Sequence, residues 1–344
     1  MINVGILGAG YWGPKFARNF AQHRGARLRG VADLRLERAQ ATAMEWGAEY
    51  ATEDPERVLR DPEVDLVVVA TPAWTHYELT RTALEENKHA LVMKPLTTNA
   101  AEAEELCRIA DARGLALAVD HTFIFTGAVQ KMKALVDAGE LGDLYYFDSV
   151  RINLGLFQSD VNVLWDLAPH DVSIMDYLMG CAPDDVAAVA MSHGGSPTEN
   201  IAYLTARYDE AVLAHVHVNW LAPAKIRRTI VGGSRKMLVY DDMEPSEKVR
   251  IYDKGVEFSS EPSHNGADEY ELLVSYRSGD VTVPQISTRE ALAAEVENVI
   301  DAIHGRAPLM VDGQAGVRVV RILETAAKSI PQGGLPVALT GVAV

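Results

Sequence analysis

The sequence predicts an α/β protein: an N-terminal Rossmann-type, doubly wound parallel sheet, followed by an α+β domain with a large, mainly antiparallel open sheet. Three observations predict it. Short Val/Leu-rich runs alternate with amphipathic Ala/Glu/Arg-rich segments over the first 120 residues, the pattern of βαβ units. A glycine-rich turn joins the first run to the first helical segment. Beyond residue 121 the texture changes to runs of alternating polarity with hairpin-length links. The expected domains are therefore 1–120, a nucleotide-binding domain, and 121–344, a substrate-binding and oligomerisation domain.

The strands expected in the first domain are "NVGILG" (3–8), "RLRGVAD" (27–33), "VDLVVVA" (64–70), "HALVM" (89–93) and "ALAVD" (116–120). Their apolar runs lack strict alternation, which suits strands covered on both faces. A helix is expected over 127–139, "GAVQKMKALVDAG". The antiparallel strands follow as "DLYYFDSVRIN", "DVAAVAMSH", "IAYLTARY", "AVLAHVHVNWL", "IRRTIVGG" and "KMLVYDD", with short links such as "DEA" after Tyr208 and "GGSR" after Val231. Helices over 288–305 and 313–330 close the chain, and 255–286 shows no clear periodicity.

With 344 residues, 48% hydrophobic and 23% charged, the chain has ordinary globular composition and is long enough for two domains. A formal charge of -16 argues against nucleic acid or an anionic membrane as partner. Cys107 and Cys181 have no paired spacing, so no metal site is expected and free thiols in a reducing cytoplasm are. No run approaches the about 18 apolar residues of a membrane span, and the start "MINVGILGAG" reads as structure rather than as a signal segment.

The first βα turn is Gly8-Ala9-Gly10-Tyr11-Trp12-Gly13, a G-x-G-x-x-G between a strand and "PKFARNFAQH". Such a turn lets main chain approach a pyrophosphate and aims helix N–H groups at its charge. Pro14 is tolerated in a first helical turn. Asp33 ends the second strand, where a carboxylate accepts from both ribose hydroxyls and repels a 2′-phosphate, so NAD is expected over NADP. Arg35 and Arg38 keep a phosphate in play. Thr71 and Pro72 follow the next strand on the same ligand-facing edge, and His76 either contacts the cofactor there or is a polar residue of a helix start.

Lys94 ends the next strand, "HALVM", at that edge. Farther on, Asp166 and His170 stand four apart, on one helical face. Pro169 suggests a helix starting there, with Asp171 in its first turn. Oxidising a secondary alcohol needs a base for the hydroxyl proton and positive charge near an oxygen that becomes partly anionic. His170, with an ordinary pKa near about 6.5, suits the first task. Lys94 suits the second, or the first if desolvation lowers its pKa. As alternatives, Asp166 and His170 are a capping pair and Lys94 a solvated strand end.

The glycine fingerprint, "VVVATP", His76, Lys94-Pro95 and Asp166-x-x-x-His170 together resemble the glucose-fructose oxidoreductase and inositol dehydrogenase (Gfo/Idh/MocA) family. The likeness runs over essentially the whole chain. It implies a cofactor cleft between a Rossmann and an antiparallel-sheet domain, a homodimer or homotetramer formed through the open sheet face, and Lys-Asp-His catalysis of alcohol–ketone interconversion on sugars or cyclitols. The family pattern is usually Glu-Lys-Pro, and here Met93 stands in the glutamate's place, which puts the setting of Lys94 in question.

Within that family, "HTFIFTGAVQKMKALVDAGELGDLYY" and "LFQSDVNVLWDLAPHD" are most similar to dehydrogenases of amino sugars or nucleotide-linked sugars, often at the 3-hydroxyl. Arg151, Asn153, Gln158, Asn162 and Trp165, with Asp166 and His170, are then the candidate pocket wall, though plain sheet or loop structure accounts for the first five equally well. Arg227 and Arg228 are candidates for a diphosphate, and net acidity leaves a cationic aminoglycoside open. Inositol is a further substrate option. The competing classes are an NAD- or sugar-sensing regulator on the same fold and an NADPH-dependent reductase of a biliverdin-like or dihydrodiol substrate, the latter disfavoured by Asp33.

Overall fold

The computed structural model describes residues 1–155, 161–209, 211–258 and 274–340. Their contacts divide into two compact units, 1–126 with 288–324 and 127–287 with 325–344.

The first unit alternates β1 (Ile2–Leu7), α1 (Gly13–Gln22), β2 (Ala26–Ala32), α2 (Leu36–Trp46), β3 (Tyr50–Thr52), α3 (Pro55–Leu59), β4 (Leu66–Val69), α4 (His76–Glu85), β5 (His89–Met93), α5 (Ala100–Arg113) and β6 (Leu117–Asp120). The six strands are all parallel, in the order β3-β2-β1-β4-β5-β6. The order reverses beside β1, so a crevice opens at the C-terminal ends of β1 and β4, where doubly wound sheets take ligands. Leu66, Val67, Val68 and Val69 are all buried, as consecutive positions must be when helices cover both faces. Helix α5 carries its own start and stop signals. Asn99 caps α5 by accepting from the Glu102 N–H, and Gly114 ends it in the left-handed region.

The second unit begins with α6 (Gly127–Asp137) and β7 (Leu144–Leu154), then α7 (Val163–Met179), β8 (Asp185–Met191), β9 (Ile201–Tyr208), β10 (Val212–Asn219), β11 (Leu221–Gly233), β12 (Met237–Asp241) and β13 (Val249–Tyr252). β14 (Gly255–Phe258) and β15 (Val274–Arg277) form a separate ribbon, and β16 (Val281–Thr282) rejoins the main sheet. That sheet has nine strands in the order β16-β13-β12-β11-β7-β10-β9-β8-β17, the last being β17 (Val337–Ala338). All neighbours are antiparallel except β7 and β10, which run parallel. Alternation sends Phe147, Ala214, Val216, Leu204 and Ala206 to one buried face, against which α7 packs. Val189, Met191, Tyr203 and Leu213 remain exposed, and Tyr203 stacks on His217 at 4.4 Å.

The remaining helices are α8 (Ala291–Ile303) and α9 (Gly313–Ser329). A single cut near residue 120 does not describe the chain, because 288–324 returns to the first unit. Leu292, Val296, Val299 and Ile300 of α8 complete the core that β1, β2, β4, β5 and α1 begin. Among the described residues no helix is long and apolar enough to cross a membrane.

Candidate active site

The glycine turn is fixed by contacts that leave no room for side chains on one side and open space on the other. Gly8 has φ +93°, and a Cβ there would lie 2.5 Å from the Ala70 carbonyl oxygen. A Cβ on Gly13 would lie 2.0 Å from the Gly8 oxygen, so this glycine lets α1 close onto the turn. A Cβ on Gly10 would meet nothing within 4 Å, which is the access that a pyrophosphate requires. Tyr11, 77% exposed, meets Trp12 edge-on, and the Lys15 ammonium lies 3.5 Å from the Tyr11 ring centre.

Beside the turn lies a cavity of about 810 Å³ lined by Gly8, Gly10, Asp33, Arg38, Thr71 and Pro72, together with Leu34, Glu53, Trp74 and Leu79 among others. The Asp33 carboxylate accepts from the Ala9 N–H at 2.7 Å and, through its other oxygen, from the Arg35 N–H at 2.9 Å. Each oxygen keeps a lone pair beyond these bonds, so the group is held in place and can still accept from ribose hydroxyls. The open approach at Gly10, the anchored carboxylate and the cavity's size fit a dinucleotide.

His76 is arranged differently from a cofactor contact. The ring is 1% exposed, with Nδ1 2.7 Å from the Pro95 carbonyl and Nε2 2.9 Å from the Thr71 carbonyl. It braces the turn after β4 against the turn after β5 from behind. Burial, with the Lys94 charge adding to it, pushes its pKa down. Lys94 itself is half-buried at the end of β5.

Three buried groups near Lys94 have no counterpart in the sequence expectations. Asp120 ends β6 in register with Met93, Thr122 donates to it through both N–H and hydroxyl, and Glu295 of α8 is buried beside it. His121 is also buried; desolvation, then the charges of Lys94 and Arg318, push it down to about 3, so the ring is neutral. The available signal was "VDHT", charged residues at a strand's C-terminal end on the ligand side of the sheet.

In the second unit Asp166 and His170 share a face of α7, as their spacing predicts. The helix starts earlier than Pro169 suggests. Asn162 caps it by accepting from the Trp165 N–H at 3.1 Å, and Pro169 lies inside, where it removes the helical hydrogen bond to the Trp165 carbonyl. The Asn162 amide donates to Glu199 at 3.1 Å, which anchors the helix start to the chain before β9. Asp166 accepts from the indole N–H of the fully buried Trp220 at 3.1 Å, so one carboxylate oxygen has a fixed position.

The other wall candidates divide. Arg151 is buried on the α7 side of β7 and pairs with Asp171, Nε to Oδ2 at 2.5 Å, while Ser149 donates to Asp171 Oδ1 at 2.6 Å. This guanidinium ties sheet to helix instead of facing a pocket, and Asp171 is its partner rather than a first-turn cap. Asn153, two residues on, falls on the same strand face and is half-buried, as is Trp165. Gln158 lies outside the described residues. Arg227 and Arg228 are engaged by Asp242 and Asp241 at 3.2 and 2.8 Å, so neither is held ready for a diphosphate.

Residues 2–121 match the family model described as "Oxidoreductase family, NAD-binding Rossmann fold", and residues 129–239 match the Gfo/Idh/MocA C-terminal domain. The chain belongs to the Gfo/Idh/MocA family of NAD-binding oxidoreductases, enzymes acting on sugar hydroxyl groups. It is 29% identical over 330 residues to the UDP-N-acetylglucosamine 3-dehydrogenase of Acidithiobacillus ferrooxidans, covering 93% of this chain and 94% of the relative. A solved structure of that enzyme has a TM-score of 0.78 at 26% identity, over 96% of this chain and 98% of its own. The NAD(+)-dependent scyllo-inositol 2-dehydrogenase of Bacillus subtilis is 24% identical over 356 residues, 98% of this chain and 96% of the relative.

Proposed function

We propose that the protein oxidises a secondary hydroxyl, at C3, of a nucleotide-linked or amino sugar to a ketone, with NAD as hydride acceptor. The observation that carries this reading is the near end-to-end similarity to a UDP-N-acetylglucosamine 3-dehydrogenase in a chain that has Lys94, Asp166 and His170. NAD, when bound, takes the hydride from the carbinol carbon. His170 accepts the hydroxyl proton, so that beyond the hydride, one proton with two electrons, the alcohol loses one further proton, which the imidazole holds. Lys94 stabilises the negative charge that grows on the oxygen as the C–H bond breaks. Asp166, fixed by Trp220, accepts from a sugar hydroxyl and orients it. Trp165 and Asn153 are wall residues in this reading, while Arg151 and Asn162 support the wall from inside the unit.

The open sheet face, with Val189, Met191, Tyr203 and Leu213 exposed, supports a homodimer or homotetramer formed through that face. A cytoplasmic location goes with the absence of paired cysteines. The test is NADH formation across UDP-N-acetylglucosamine and other UDP-sugars, free amino sugars, inositols and aminoglycosides. Turnover greatest on a UDP-sugar is the expected result. Tight NAD binding with no NADH from any of them would sink the reading.

A further inference from the structure

The cavity beside the glycine turn extends past the groups that hold a pyrophosphate and a ribose. It crosses the C-terminal ends of four neighbouring strands, with Glu53 following β3, Asp33 following β2, Gly10 following β1 and Trp74 following β4. A dinucleotide with its pyrophosphate at Gly10 and its ribose at Asp33 has its base in the remaining part, lined by Leu34, Arg38, Glu53, Trp74 and Leu79. Leu34 is 88% exposed and Trp74 71%, large apolar side chains turned to a cavity and not to the core. An indole offers a π-face on which any base stacks, so Trp74 supplies affinity without telling bases apart.

Telling them apart needs a polar group at the base edge. The charged side chains that line the cavity are Asp33, Arg35, Arg38, Glu53 and Glu78. The 6-amino group of adenine is a donor, which the two guanidinium groups, donors themselves, cannot satisfy. Asp33 is held by main-chain N–H groups beside the ribose, and Glu78 pairs with Arg81 at 2.7 Å. Glu53 is the acceptor that remains, and its main chain is fixed from both sides. The Asp33 N–H donates to the Thr52 carbonyl at 3.1 Å, which ties the residue before Glu53 to the ribose carboxylate's own backbone. The Asp54 N–H donates to Thr52 Oγ1 at 3.1 Å, and Asp54 caps α3 by accepting from the Glu56 N–H at 3.0 Å.

We propose that this end of the cavity reads adenine: the Trp74 indole stacks on the base, and the Glu53 carboxylate accepts from its 6-amino group. Hypoxanthine, with a carbonyl oxygen at that position, sets acceptor against acceptor there. Glu53 thus determines which purine the cofactor can carry, and Trp74 how tightly either purine is held. The slot presupposes NAD as cofactor and is independent of which sugar hydroxyl is oxidised.

The experiment is a fluorescence titration of the full-length protein with NADH and with its hypoxanthine analogue, reduced nicotinamide hypoxanthine dinucleotide. The wild type holds NADH about tenfold tighter than the analogue, the order of one hydrogen bond to a charged group. Glu53→Ala weakens NADH and brings the two affinities together, and Glu53→Gln, whose amide can donate to the carbonyl oxygen, does so as well. Trp74→Ala weakens both ligands about tenfold and keeps their ratio, while Trp74→Phe restores most of the affinity. Both side chains are exposed, so the urea midpoints of all four variants stay at the wild-type value. Equal wild-type affinities, or a ratio unmoved in Glu53→Ala, overturn the role of Glu53, and an unchanged affinity in Trp74→Ala overturns the stacking. The dehydrogenase reading survives each of those results. A sugar panel with no turnover leaves the slot standing, whereas absence of NADH binding removes the cofactor and the slot together.

Discussion

The first unit builds its candidate ligand site from main chain, and the second builds its candidate site from side chains on one helix. Around Gly8, Gly10 and Gly13 the decisive features are a left-handed turn, a close approach and an open approach, and Asp33 is held by two backbone N–H groups. On α7 they are a carboxylate aimed by an indole and an imidazole one turn on, seated by a buried ion pair between Arg151 and Asp171. The first kind of site tolerates change in side chains away from the turn. The second depends on a few buried polar contacts, each expensive to break.

The largest stability effect expected from this contrast is at Arg151. Arg151→Ala leaves Asp171 buried without its cation, a loss of about 3–5 kcal/mol in chemical unfolding, whereas breaking a buried pair by both partners costs far less. A loss near zero for Arg151→Ala would return this residue to the pocket wall. In the first unit Asp33→Ser removes charge-assisted bonds to ribose, each worth about 1.5–3 kcal/mol, and weakens NADH binding about 10- to 100-fold in a fluorescence titration while leaving unfolding nearly unchanged. An unaltered NADH affinity would place the ribose elsewhere.

A further effect concerns pH. His121 is neutral in the fold at pH values where an unfolded histidine, with a pKa of about 6.5, takes a proton. The unfolded chain then binds more protons, so this contribution to stability is complete above about pH 6.5 and is lost progressively as pH falls toward about 3. The slope from this one group is at most about 1.4 kcal/mol per pH unit. His121→Phe flattens the dependence of stability on pH between 6.5 and 4 in urea titrations, and an unchanged slope would show that the ring is charged in the fold.

The same contrast explains what could be read from sequence. "HALVM" coincides with β5, and the other main strands of the first sheet fall within two residues of their expected bounds at each end, because buried parallel strands are continuous apolar runs. The three-residue β3 has no such run and was missed. The glycine turn and Asp33 were legible because a main-chain site writes its requirements as residue types at fixed spacing. On α7 the shared face of Asp166 and His170 was legible from their spacing, but the start was not, since Pro169 reads as a beginning and stands inside. Arg151 read as a ligand contact because its partner is on another element. Asp120, His121 and Glu295 were invisible for the same reason: pattern along the chain does not report which distant acid shares a core. The Thr288–Glu324 return to the first unit belongs with them.

The most direct test of the central claim compares Lys94→Ala and His170→Ala with the wild type in two measurements made side by side, NADH formation from the best sugar of the panel and NADH affinity. Groups that act on the reacting oxygen and its proton change the rate and not the cofactor's hold. The expected result is a fall in kcat of about 10²- to 10⁴-fold in each variant, with NADH affinity preserved. Near-full turnover in either variant would contradict the assignment of that residue to the chemistry, and a loss confined to NADH affinity would make Lys94 a cofactor contact alone.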